Sequence, residues 1–89
     1  MTGPAGVPRS GTDVTLITRT NCHLCEPART TTARVCAAAG VPWAEVNVDS
    51  DPELRGEYGD RVPVVLVNGT EFAAFRIDPD ELAAAIAAR

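Results

Sequence analysis

The sequence predicts an α/β domain in which a four-stranded mixed sheet carries helices on both faces, in the order β-α-β-α-β-β-α. Segments rich in Val, Ile and Thr alternate along the chain with segments of helical periodicity. The dipeptide Asn68-Gly69 is preferred in a type I′ turn, so the strands on either side of it should form an antiparallel hairpin. A helix separates the first two strands, which implies parallel pairing and a three-layer sandwich.

The first half of the chain contains two predicted strands and one predicted helix. Residues 13–18 are β-branched or apolar and form the first strand. A helix follows, since its inward positions recur at steps of three and four: Leu24, Ala28, Thr31, Val35 and Ala39. Gly40 is placed to end that helix. Residues 43–49 alternate in polarity and predict the second strand.

The second half is delimited by cap residues and turns. Asp51 and Pro52 open a short helix that Gly59 ends. Residues 63–67 are almost entirely apolar and predict a central third strand, which residues 70–77 follow as the fourth. A last helix begins after Asp78, where Glu81 occupies the capping-box position and Leu82 and Ile86 face the core.

Composition limits the function classes that the chain can serve. Its 89 residues suffice for one small domain, and we assign residues 13–89 to that domain and residues 1–12 to a flexible tail. The net charge of -4 argues against nucleic acid or an anionic membrane as partner. No apolar run approaches the roughly 18 residues of a membrane span, and no apolar leader segment is present. We therefore expect a cytoplasmic protein.

The most informative feature is the pair Cys22 and Cys25. Its spacing suits a redox dithiol, and it equally suits two of the four ligands of a zinc site. A closed zinc site needs four ligands, and Cys36 lies roughly 16 Å along the helix from Cys25 at about 1.5 Å per residue. A structural zinc within one chain is therefore disfavoured, although a metal shared between two chains remains an alternative. We expect Cys36 to be a small buried apolar residue.

The redox interpretation explains the position of the pair. Cys22 follows a strand and precedes a helix, where free N–H groups and the helix dipole stabilise a thiolate. Cysteines in comparable motifs have pKa values lowered to roughly 3.5–7.5. We therefore expect Cys22 to be the attacking nucleophile. Cys25, one turn into the helix, should resolve the mixed disulfide that Cys22 forms. His23, between them, is either a substrate-contacting group that favours the thiolate when protonated or an exposed spacer.

The motifs taken together resemble those of glutaredoxins in the thioredoxin superfamily, over residues 13–89. They are, in chain order, Cys22-His23-Leu24-Cys25, Arg61-Val62-Pro63 and Asn68-Gly69. The chain looks closest to small bacterial glutaredoxin-like proteins that have a Cys-x-Leu-Cys motif. The resemblance implies a thioredoxin-like, glutaredoxin-type fold. It also implies that Pro63 is cis beside the dithiol and that the backbone of Val62 binds the substrate.

The resemblance implies a small thiol-disulfide oxidoreductase that reduces protein or low-molecular-weight disulfides, serving electron transport and cell redox homeostasis. We expect a monomer with no cofactor beyond its redox-active disulfide. A small thiol or a thioredoxin-reductase-type enzyme would supply the electrons. The alternative function is a non-catalytic binding module of the same fold, in which the dithiol holds a metal or a partner protein.

Overall fold

The computed structural model describes residues 14–88, and its elements follow the predicted order. They are β1 (Val14–Thr18), α1 (Cys25–Ala39), β2 (Trp43–Asn47), a 3-10 helix (Val48–Ser50), α2 (Pro52–Tyr58), β3 (Val64–Val67), β4 (Thr70–Ala74) and α3 (Pro79–Ala88). The predicted tail, residues 1–12, and Asp13 of the first predicted strand lie outside the described residues. None of the helices described is long and apolar enough to cross a membrane.

The four strands form one mixed sheet in the order β2-β1-β3-β4. β1 pairs in parallel with β2, as a crossover through α1 requires, and pairs antiparallel with β3 on its other side. The hairpin of β3 and β4 turns at Asn68 and Gly69, whose φ angles of 52° and 81° are the positive values that a type I′ turn needs. The mixed sheet and the predicted hairpin are thus confirmed.

Helices cover both faces of the sheet and divide the core into two clusters. α1 and α3 pack on one face, where Val65 and the fully buried Leu82 belong to the same cluster. α2 packs on the other face, where the fully buried Leu54 meets Val64 of β3. Because Val64 and Val65 are adjacent in a strand, they point to opposite faces and each contributes to one cluster.

The helix ends match the predicted caps. The Asp51 carboxylate accepts the N–H of Glu53 at 2.9 Å at the start of α2. At the start of α3 the Asp78 carboxylate accepts the N–H of Glu81 at 3.0 Å. Gly40 ends α1 in the left-handed conformation, with φ 71°. Each cap satisfies a backbone group that the end of a helix leaves without an intrahelical partner.

The inward face of α1 differs from the prediction. Its buried residues are Cys25, Ala28, Thr32, Val35 and Cys36. Of the other predicted members, Leu24 and Thr31 are only partly buried and Ala39 is exposed. Both sets of positions lie along one face of a helix, so periodicity alone does not distinguish them. Packing against the sheet selects the series that buries both cysteines of the helix.

Two predicted strands extend past their observed carboxyl ends, and the backbone at each end shows why. β2 ends at Asn47, not at residue 49, because the Asn47 side chain accepts the N–H of Asp49 at 2.7 Å and starts the 3-10 helix. β4 ends at Ala74, not at residue 77. The next residue, Phe75, has a φ of 69°, and its N–H donates to the carbonyl of Pro63 at 2.7 Å. The third strand begins one residue later than predicted.

Candidate active site

Cys22 and Cys25 form a disulfide in the segment that links β1 to α1. Their Cα atoms lie 5.3 Å apart, within the usual range for a disulfide. The two cysteines differ in exposure: Cys22 is partly exposed, whereas Cys25 is only 1% exposed and belongs to the cluster under α2. Cys22 is therefore the more accessible of the two cysteines to an incoming molecule, while Cys25 is shielded.

The amino end of α1 lies directly beside this disulfide. Cys25 is the first residue of the helix and not, as predicted, a residue one turn inside it. Its N–H donates to the carbonyl of Cys22 at 3.3 Å, and the first intrahelical bond runs from the N–H of Ala28 to the carbonyl of Leu24 at 3.2 Å. The Leu24 cap position has no side-chain cap, so no cap side chain offsets the positive end of the helix dipole next to Cys22 in the chain.

Three hydrogen bonds hold the loop that precedes Cys22. The N–H of Thr20 donates to the carboxylate of Asp49 at 3.2 Å, and the Asn47 amide donates to the Thr20 hydroxyl at 3.4 Å. The Arg19 guanidinium donates to the carbonyl of Gly59 at 3.2 Å. The Thr20 N–H lowers the pKa of Asp49, so this exposed carboxylate stays ionised and keeps accepting the bond.

A second carboxylate, Glu45, connects β1 to α1 below the loop. It accepts the hydroxyl of the buried Thr18 at 2.8 Å. It also accepts two bonds from the guanidinium of Arg29, through Nε and Nη2, each at 2.8 Å. The bonds from Arg29 lower the pKa of Glu45 against the opposing effect of its partial burial, and the carboxylate in turn raises the pKa of Arg29.

The peptide bond between Val62 and Pro63 is cis, as the resemblance implies. Val62 and Cys22 line the same cleft of about 510 Å³, together with the exposed His23. A second cleft of about 630 Å³ lies on the other side of Cys22, where Arg29 forms part of the wall. Pro63 is fully buried. The structure thus brings Cys22, Cys25, His23 and Val62 to one place, while their roles in exchange stay predictions.

Cys36 is remote from this chemistry. It is fully buried in the cluster between the sheet, α1 and α3, whereas Cys25 belongs to the cluster on the opposite face. The prediction of a small buried residue is confirmed for Cys36. Across residues 14–88, no group of three or more His, Cys, Asp or Glu side chains is arranged to hold a metal ion.

Sequence reasoning missed the polar residues of β2 and the turn after it, although a signal was present. The alternation of residues 43–49 places Glu45, Asn47 and Asp49 two apart, on one side of the chain. Because β1 and β2 are parallel, their carboxyl ends meet at the same edge of the sheet. The side chains of these three residues therefore reach the segment of residues 18–20 that leads to Cys22.

Comparison with known proteins finds a family that matches most of the chain. The family described as Glutaredoxin-like domain (DUF836) matches residues 13–87. The uncharacterized protein Rv0508 of Mycobacterium tuberculosis is 35% identical over 79 residues, which cover 83% of this chain and 81% of that protein.

Solved structures agree with the fold. Protein XcR50 from X. campestris has a TM-score of 0.71 and 34% identity, covering 85% of this chain and 97% of that chain. Thioredoxin-2 of the malaria parasite has a TM-score of 0.66 and covers 85% of this chain and 81% of that chain. Its identity is 19%, so this likeness concerns the fold alone.

Proposed function

Because the chain belongs to the glutaredoxin-like family and has a thioredoxin-like fold, we propose that it is a thiol-disulfide oxidoreductase that uses Cys22 and Cys25. The observation that carries this proposal is the disulfide between a partly exposed and a buried cysteine at the amino end of α1. Two such thiols alternate between dithiol and disulfide with little backbone movement.

The reaction that we infer has two exchange steps. The thiolate of Cys22 attacks one sulfur of a substrate disulfide, forms a mixed disulfide and releases the other substrate sulfur as a thiolate. The thiolate of Cys25 then attacks the sulfur of Cys22, which closes the disulfide seen in the structure and releases the second substrate thiolate. Each released thiolate takes up a proton, and two electrons pass from the protein to the substrate.

Site geometry supports a role for each neighbouring group. The amino end of α1 favours negative charge on Cys22. The cleft shared by Cys22, Val62 and His23 offers a place for the substrate chain, and the backbone of Val62 is the group that we propose binds it. His23 is exposed at the rim, which fits the spacer interpretation at least as well as a direct role.

We propose that protein or small-molecule disulfides are the substrates and that a small thiol or a thioredoxin-reductase-type enzyme restores the dithiol. Such a protein works where thiols are kept reduced, so the proposed compartment is the cytoplasm. We also propose that the protein is a monomer. No cofactor beyond the cysteine pair enters the reaction that we propose.

The test is steady-state reduction of hydroxyethyl disulfide and of a protein disulfide, with glutathione or thioredoxin reductase as electron source. The wild-type protein should turn over with at least one source, and Cys22→Ser should not. Cys36→Ala is the matched control, because it removes a thiol from the other core cluster and should retain the rate. Stoichiometric zinc or iron without any turnover would favour the binding module instead.

A further inference from the structure

Glu45 contacts both sides of the segment that carries the disulfide. Thr18, which lies four residues before Cys22, donates its hydroxyl to this carboxylate at 2.8 Å. Arg29, which lies four residues after Cys25, donates two further bonds at 2.8 Å each. One side chain of β2 therefore joins the end of β1 to the first turns of α1, on either side of the cysteines.

The two partners of Glu45 are themselves well placed for this task. Thr18 is only 1% exposed at the end of a central strand, so its position is fixed by the core. Arg29 lines the same cleft as both cysteines, so a change in its position alters the surroundings of the disulfide directly. A bidentate pair between a guanidinium and a carboxylate also restricts orientation more than a single contact does.

We propose that Glu45 is a positioning residue for disulfide exchange, which holds residues 18 and 29 together so that Cys22 and Cys25 stay close when their disulfide opens. This inference rests on the proposed function. In the oxidised protein the disulfide already orders the loop, so the contacts of Glu45 form there at little entropic cost. In the dithiol form those contacts must themselves restrict the loop, so Glu45 stabilises the dithiol form less than it stabilises the disulfide form.

Loss of Glu45 should therefore shift the equilibrium toward the dithiol. If the loop before Cys22 regains the backbone freedom of roughly one residue in the dithiol form, its gain in entropy shifts the equilibrium constant about five- to thirtyfold toward the dithiol. The bond from Thr20 to Asp49 still holds the loop, so we expect the lower end of that range for Glu45→Ala. Glu45→Gln keeps an oxygen that can accept from Thr18 or Arg29, so it should give a smaller shift in the same direction.

The experiment measures the equilibrium constant between dithiol and disulfide in a series of glutathione redox buffers, with alkylation of the quenched protein and mass mapping of Cys22 and Cys25. The variants are Glu45→Ala, Glu45→Gln and the control Asp78→Ala. The control removes a cap of α3, on the opposite side of the core from Cys25. It should lower the stability of both redox forms equally and leave the constant within about twofold of wild type.

If the wild type exchanges normally and the equilibrium constant of Glu45→Ala lies within twofold of its value, this inference is wrong while the proposed function stands. A merely structural role would also give that result, since it would destabilise both redox forms alike. If Glu45→Ala does not fold, Glu45→Gln decides the matter, and a constant with no shift toward the dithiol overturns the inference. A wild-type disulfide that excess dithiothreitol fails to open would instead overturn the proposed function and this inference together.

Discussion

The unequal exposure of Cys22 and Cys25 predicts a sequence of reaction when the reduced protein meets iodoacetamide. Cys22 is partly exposed at the amino end of α1, whereas Cys25 is 1% exposed among apolar side chains. The reagent can approach Cys22 in the native protein. The reagent can reach Cys25 only after a local opening in which the first turn of α1 leaves the core.

The size of the difference follows from the surface that such an opening exposes. If opening uncovers about 100 Å² of apolar surface around Cys25, it costs about 2.5 kcal/mol at roughly 25 cal/mol per Å². That cost reduces the reactive population roughly 70-fold. The helix dipole acts in the same direction, because it favours the thiolate of Cys22. We therefore expect alkylation of Cys22 to be at least about 70-fold faster than that of Cys25.

The assay is timed alkylation at about pH 6, a pH at which only cysteines with a stabilised thiolate react quickly. Mass mapping then locates the modified residue, and Cys36 provides an internal reference for a fully buried thiol. In parallel, Cys25→Ser should accumulate a mixed disulfide with a small thiol, whereas Cys22→Ser should not. Faster modification of Cys25 or Cys36 than of Cys22 would refute the proposed assignment of nucleophile and resolving cysteine.

Three further predictions concern stability. The disulfide joins cysteines at a sequence separation of 3. From the loop-closure entropy of such a link, we expect its reduction to lower the free energy of unfolding by about 2 kcal/mol. Urea unfolding with and without reductant measures the difference. In the folded state the pKa of Glu45 is lowered below its ordinary value of 4.5. The ionised carboxylate therefore contributes to the stability of the folded protein above pH 4.5, and this stabilisation is lost as the pH falls through the folded-state pKa. Between neutral and acid pH, the free energy of unfolding should therefore fall less steeply for Glu45→Gln than for the wild type. An equal dependence on pH in the two proteins would contradict the prediction. Cys36→Ala should lower the melting temperature while leaving the exchange rate of Cys22 unaltered, because Cys36 is packed in the opposite core cluster, and an unaltered melting temperature would count against that packing role.

The residues that could be located from sequence are those whose local chemistry is decisive. The dithiol stands out by its spacing, and the caps Asp51 and Asp78 are identified by short-range side-chain bonds. The inward face of α1 could not be fixed in this way, because two overlapping sets of positions each fit one face of a helix. Only packing against the sheet shows that Thr32 and Cys36, and not Thr31 and Ala39, face inward.

From the sequence one can predict the order of the elements, the parallel pairing of β1 with β2 and the turn at residues 68 and 69, because each depends on segments that follow one another along the chain. The surroundings of the cysteines, in contrast, depend on how the strands assemble. β3 lies antiparallel beside β1, and Val62, just before it, lines a cleft with Cys22. Glu45 bonds to residues 27 and 16 positions away along the chain. Such contacts depend on which strands become neighbours in space. The pairing of strands depends on how the whole sheet buries its apolar side chains, and no local segment specifies it.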